Sequence, residues 1–192
     1  MNQPAQIDSA EQPTPARFTI EQFYRIAETG VLDGKRSELL AGEIVIMAPQ
    51  WAAHGQVKSE IAFALNDSVR AQRSGLAVMV EASIELGLDH LPMPDIFIWE
   101  RASVARGVPE GLVKLVIEVA DSSERNDMER KRLVYAENHV AEYWVAVLRT
   151  RTIERFAELA DGDYRRRDSF AFGDAVDSLT LAGIGIAAGT LA

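Results

Sequence analysis

A chain of 192 residues that is 47% hydrophobic and 26% charged has apolar material for one core and little beyond it. Its net charge of -9 speaks against a protein that coats nucleic acid through bulk positive charge. The absence of cysteine rules out disulfide frameworks and thiolate metal centres and fits a cytoplasmic protein. No run is long and apolar enough to span a bilayer, and no basic-then-apolar signal opens the chain, so no membrane partner is expected.

Residues 1–17 are polar and proline-rich and read as a flexible leader before a single domain over 18–181. Thr19 suits the N-cap of a helix running to about residue 29, with Glu21 and Gln22 in its first turn and Gly30 at its end. Phe23, Ile26 and Ala27 give it an apolar side. Residues 38–47 read as a hairpin turning at Ala41-Gly42. After a loop from Pro49 to His54, the spacing of Val57, Ile61, Phe63-Ala64-Leu65 and Val69 predicts a helix over 55–73, closed by Gly75.

Strands are expected over 76–81 and 83–86. Two more follow, one led by Met93-Pro94-Asp95 into Ile96-Phe97-Ile98-Trp99, the other Leu115-Val116-Ile117-Glu118-Val119. A short helix over 127–138 buries Leu133, Val134 and Ala136. Strands at 142–147 and 152–159, a turn at Asp161-Gly162-Asp163, and returns at 164–167 and 175–181 complete the order, with 182–192 a weakly structured tail. Two main helices among many strands make an α/β or α+β domain.

The chemistry lies in the polar residues set into this apolar frame. A carboxylate inside an apolar strand is costly unless something pairs with it, and a divalent metal is a common partner. Asp95 and Glu118, on neighbouring strands, can hold Mg²⁺, with Mn²⁺ as substitute, and the carbonyl of Val119, the next peptide along, is a candidate third ligand. Lys131 follows at once and can orient water or offset charge on a phosphate. Together Asp95, Glu118 and Lys131 form a candidate metal-dependent phosphodiesterase site.

Each residue also has a plainer reading. Pro-Asp is common loop chemistry. Glu118 could pair structurally with Lys131 or Arg132, Lys131 could be a solvated helix residue, and Glu38 could be surface charge. His54 or Asp127 could simply cap a helix, and Tyr135, Tyr143 and Trp144 read as core aromatics. Two basic groups, Arg125 with Arg130-Lys131-Arg132, and Arg149, Arg151, Arg155 with Arg165-Arg166-Arg167, are candidate phosphate contacts or solvated faces.

At these residues the chain resembles the PD-(D/E)XK nuclease superfamily. Glu38-Leu-Leu-Ala-Gly-Glu-Ile-Val-Ile-Met-Ala-Pro with His54, Pro94-Asp95, Ile117-Glu118-Val119, Asp127-x-x-x-Lys131-x-x-x-Tyr135 and Glu142-Tyr143-Trp144 are similar to the bacterial "putative restriction endonuclease domain" family, common in cyanobacteria. The resemblance spans residues 18–170. It implies a restriction-endonuclease-like α/β core, a central mixed β-sheet flanked by helices, Mg²⁺ as cofactor, DNA as substrate and often a homodimer. By it, Asp95 and Glu118 are metal ligands, Lys131 the catalytic lysine and Glu38 an acid at the edge of the site.

Two positions depart from the pattern. The superfamily lysine two residues after the glutamate is Ala120 here, which transfers that role to Lys131 on the next helix. Val147 stands where relatives often carry aspartate. The rival expectation is a catalytically inactive protein on the same scaffold, acting as a dimeric or partner-binding module. The sequence does not separate DNA from RNA as substrate.

Overall fold

The computed structural model describes residues 14–121 and 125–191, so most of the expected leader lies outside the described residues. Helix α1 (Ile20–Glu28) opens with a capping box, in which the Thr19 side chain accepts from the Gln22 backbone and the Gln22 side chain from the Thr19 backbone. The hairpin of β1 (Ser37–Leu40) and β2 (Glu43–Ile46) turns through Ala41 and Gly42, both at positive φ (51° and 74°), as a two-residue hairpin loop demands. A side chain at Gly42 would meet the Arg17 Cβ at 2.7 Å. Then come α2 (Ala52–Gln72), β3 (Leu76–Val80), β4 (Ile84–Glu85), β5 (Ile96–Glu100), β6 (Val108–Pro109) and β7 (Val113–Ala120). A π-helical turn (Asn126–Lys131) runs directly into α3 (Arg132–Glu137), followed by β8 (Glu142–Val147), β9 (Thr152–Ala160), β10 (Asp163–Ala171), β11 (Val176–Asp177) and β12 (Gly185–Ile186).

Six of these strands form one mixed sheet in the order β10-β9-β8-β7-β5-β3. Its single parallel pair is β7 with β8, and a parallel pair needs a crossover connection. That crossover is the π-turn and α3, which lie on one face of the sheet while α2 covers the other.

The two faces can be read along β7. Leu115, Ile117 and Val119 pack with Ile61, Leu65 and Val69 of α2, whereas Val116 and Ala120 pack with Val134, Tyr135 and Ala136 of α3. Glu118 falls between Val116 and Ala120 in this alternation, so its side chain points at the crossover helix.

Both helices correct the expected apolar faces. On α2 the buried stripe is His54, Ile61, Leu65 and Val69, and Phe63 is exposed. On the crossover the stripe is Asp127, Lys131, Val134 and Tyr135, spaced i, i+4, i+7, i+8, and Leu133 is exposed. In each case the stripe begins with charged or polar residues that apolar periodicity passes over.

The tail expected to be weakly structured is instead part of the core. Gly185–Ile186 pairs with Val176–Asp177, and Ile184, Ile186 and Leu191 are buried against α2 and the sheet. A buried carboxylate fixes the residues that lead into this tail: Glu142 Oε2 accepts from Ser178 Oγ (2.7 Å), Leu179 N (3.0 Å), Thr180 N (3.0 Å) and Thr180 Oγ1 (2.8 Å), while Oε1 accepts from Trp144 Nε1 (2.7 Å). No helix among the described residues is long and apolar enough to cross a membrane.

Candidate active site

Strands β5 and β7 run antiparallel, so the start of one and the end of the other meet at the same end of the sheet. Asp95 immediately precedes β5 and Glu118 lies near the end of β7. The Asp95 amide donates to Glu118 Oε2 (3.3 Å), and Asp95 Oδ2 accepts from the Val119 amide (2.8 Å). A strand residue turns its N–H and C=O to the same edge, so the Val119 carbonyl also faces Asp95, beyond the last paired residues Ile96 and Ile117.

Around Asp95 the partners come from α2 and the loop before it. Gln50 Nε2 donates to Asp95 Oδ1 (2.8 Å), and His54 Nε2 lies 3.2 Å from Asp95 Oδ2. Lys58 donates to Gln50 Oε1 (2.7 Å), sits 3.9 Å from Asp95 Oδ1 and pairs with Glu81, which also holds Arg36 (3.2 Å). Burial pushes the Asp95 carboxyl upward. The hydrogen bond and charge of His54, the Val119 amide and Gln50 outweigh it and hold the group below its ordinary range.

Around Glu118 the partners come from the crossover and β1. Lys131 Nζ donates to Glu118 Oε1 and to Glu38 Oε1, both at 3.0 Å, and lies 3.9 Å from Asp127 Oδ1. The Tyr135 hydroxyl donates to Glu118 Oε1 (2.9 Å), and the Met93 amide to Glu38 Oε1 (2.9 Å). Tyr143, tilted against Tyr135 with centroids 4.9 Å apart, donates its hydroxyl to the Asp127 carbonyl (3.0 Å). Burial raises the Glu118 carboxyl to about 8, against the pull of Lys131 and helped by Asp127, Asp95 and Glu38. Burial draws Lys131 down, yet Glu118, Glu38 and Asp127 more than reverse it and keep the ammonium protonated.

These groups line a pocket of about 90 Å³, whose walls include Arg36, Gln50, Trp51, His54, Asp95, Glu118, Val119, Asp121, Asp127 and Lys131. The structure thus gathers Asp95, Glu118, Lys131 and His54 at one cavity. Glu38 is fully buried behind it rather than at its edge, because its carboxylate anchors Lys131 and the Met93 amide. Lys131 is a buried residue, not a solvated one, and His54 caps nothing, since Trp51 holds the N-cap position of α2. Tyr143 and Trp144 are core aromatics, as expected.

Three contributors escaped the sequence reading. Tyr135 was legible as a core ring, but its spacing of four from Lys131 also aligns its hydroxyl with the same carboxylate. Lys58 stands four residues after His54 on the buried stripe of α2. Gln50 lies in a loop and carries no sequence signal.

Most arginines of the two basic groups are paired with carboxylates of the fold, several of them at the exposed surface. Arg130 donates to the Leu40 carbonyl and pairs with Glu43 (3.1 Å); Arg125 pairs with Glu129 (3.1 Å), Arg132 with Asp163, Arg155 with Asp168 (2.8 Å), Arg166 with Asp168 (2.9 Å) and Arg167 with Glu154 (2.9 Å).

The donor set suits a hard divalent cation. Two carboxylates and a peptide carbonyl converge on the pocket, and acids outnumber cations in the Glu118 cluster, so positive charge is in demand. Buried Glu38 Oε2 has no hydrogen-bond partner among the described residues. No three acidic or histidine side chains among the described residues form a ready cage. An ion held here would keep several waters, as Mg²⁺ does.

The comparisons with known proteins agree with this architecture. The model of the Uma2 family, described as "Putative restriction endonuclease", matches residues 20–189. A crystal structure described as "a putative nuclease belonging to DUF820" from Anabaena variabilis ATCC 29413 is similar with a TM-score of 0.65. That likeness covers 84% of this chain and 89% of the other at 18% identity, which establishes likeness of fold. No curated protein matches the sequence.

Proposed function

Because the chain belongs to the Uma2 family of restriction-endonuclease-like proteins, we propose that it is a metal-dependent nuclease that hydrolyses DNA phosphodiester bonds where Asp95 and Glu118 meet. The observation that carries this reading is the reach of Lys131. Its Nζ is 3.0 Å from Glu118 although it arrives from the crossover helix, with Ala120 at the strand position where the superfamily lysine is expected.

Asp95, Glu118 and the Val119 carbonyl would hold Mg²⁺, or Mn²⁺ in its place. Such an ion polarises a phosphoryl oxygen and makes bound water nucleophilic near neutral pH. The chain's own residues do the positioning. The Val119 amide, Gln50 and His54 fix the Asp95 carboxylate, and Tyr135 fixes Glu118. Glu118, Glu38 and Asp127 surround Lys131 and favour its charged form, which would set a fixed positive charge beside the phosphate. Glu38 is a positioning residue for that lysine.

A second reading has one observation in its favour. The Lys131 ammonium already bonds both Glu38 and Glu118, a satisfied network that stability alone explains, as in an inactive dimeric or partner-binding protein. Calorimetric titration with Mn²⁺ separates the two. Saturable binding that Asp95→Asn abolishes, followed by DNA cleavage lost in Lys131→Ala, supports the nuclease. Failure of wild type to bind Mn²⁺, with or without DNA, removes it.

A further inference from the structure

Trp51 is 75% exposed, yet it stands in the wall of the pocket that holds Asp95, Glu118 and Lys131. Its position is poorly explained by the helix it begins. Ser, Thr, Asp and Asn are the favoured N-caps, and Trp51 makes no side-chain capping bond. Nor is it carried on a loose segment: its carbonyl accepts from the Gly55 amide (3.1 Å), and the neighbouring Gln50 side chain is tied to both Asp95 and Lys58. An indole is therefore held out to solvent at the rim of the site.

The pocket's size says what can sit beside that indole. At about 90 Å³ it is smaller than the roughly 150 Å³ cavity that accommodates a benzene ring. A phosphate group is small enough to enter, whereas an attached base is not and would stay outside, at the level of Trp51. The electrostatics say in which state that base arrives. Duplex binders place several free cations against the phosphates. Here the net charge is -9, and Arg125, Arg130, Arg132, Arg166 and Arg167 are each matched to a carboxylate. Single-strand binders use cations as well, but they add stacking on an aromatic ring, which needs a base that is not already stacked and paired.

We propose that Trp51 is a stacking platform for an unpaired base flanking the phosphodiester in the pocket, so that the substrate is nucleic acid with unpaired nucleotides at the cleavage point. A single strand or an overhang fits; an intact duplex does not. This inference rests on the nuclease reading above.

The test uses the full chain with Ca²⁺ replacing Mg²⁺ to slow cleavage, and a labelled 15-nucleotide single strand beside a blunt duplex of the same sequence. Trp51→Ala should weaken strand binding by roughly tenfold or more, and Trp51→Phe by no more than about threefold, with duplex binding unchanged. The strand, not the duplex, should quench the exposed indole, which is distinguishable because Trp99 and Trp144 are buried. Equal strand affinity of wild type and Trp51→Ala, an equal loss on the duplex, or no strand binding at all overturns the proposal. So does a Trp51-dependent dimer in sedimentation that oligonucleotide leaves unaltered, because the indole is then a protein contact. Saturable Mn²⁺ binding alongside an indifferent Trp51→Ala removes the stacking and spares the nuclease reading. Absent Mn²⁺ binding removes the nuclease reading itself.

Discussion

The two helices that flank the sheet deliver the same kind of stripe to opposite halves of the site and obtain opposite results. On α2 the stripe starts with His54 and Lys58 and becomes Ile61, Leu65 and Val69; on the crossover it starts with Asp127 and Lys131 and becomes Val134 and Tyr135. The first serves Asp95, whose partners are a histidine, an amide side chain and a backbone N–H. The second serves Glu118, whose partner Lys131 is shared with Glu38 and Asp127. Asp95 ends below its ordinary range and Glu118 well above it. Two acidic residues joined by one hydrogen bond, from the Asp95 amide to the Glu118 carboxylate, thus differ in proton affinity because of what each helix brings.

The comparison breaks most sharply at Lys131. Lys131→Met leaves Glu38 and Glu118 buried without their cation, and should cost about 3–5 kcal/mol in urea unfolding. If the loss is instead below about 1 kcal/mol, the Glu118 half is not held together by its ion pairs. Tyr135→Phe removes one bond to a charged acceptor and keeps the ring on Tyr143, so a loss of about 1.5–3 kcal/mol is expected in the same assay. Gln50→Ala probes the other half. There water can replace the lost bonds to Asp95, and the cost should fall to about 1 kcal/mol. A cost matching that of Lys131→Met would erase the asymmetry. Trp51→Ala should shift stability by no more than about 0.5 kcal/mol, as an exposed side chain does.

What the sequence made legible follows from the same contrast. Asp95 and Glu118 stand out because a carboxylate in Leu-Val-Ile-Glu-Val or before Ile-Phe-Ile-Trp has few innocent explanations. The helices and the hairpin follow from caps, periodicity and the Ala41-Gly42 turn. Lys131 stood out only by its register after Glu118 and Asp127, since a lysine on a helix is ordinarily solvated. Its burial depends on Glu38, which is 93 residues away in sequence and meets it only once the hairpin docks. The arginine groups show the same limit. Their carboxylate partners include Glu43 and Glu154, which strand pairing and packing bring close and local composition does not announce. The last segment looked structureless because small residues dominate it, yet Ser68 of α2 bonds Gly183 and Gly185, β11 pairs with it, and the residues just before it are held by one distant carboxylate, Glu142.

That carboxylate also sets a schedule for synthesis. Asp95, Glu118 and Lys131 are all in the chain once residue 131 has been made, but Glu142 lacks most of its donors until Ser178, Leu179 and Thr180 are added. At ribosomal speeds the 49 residues from 131 to 180 take roughly 2 to 10 s. Through that interval the nascent domain has its chemistry encoded but lacks the strap that closes β8.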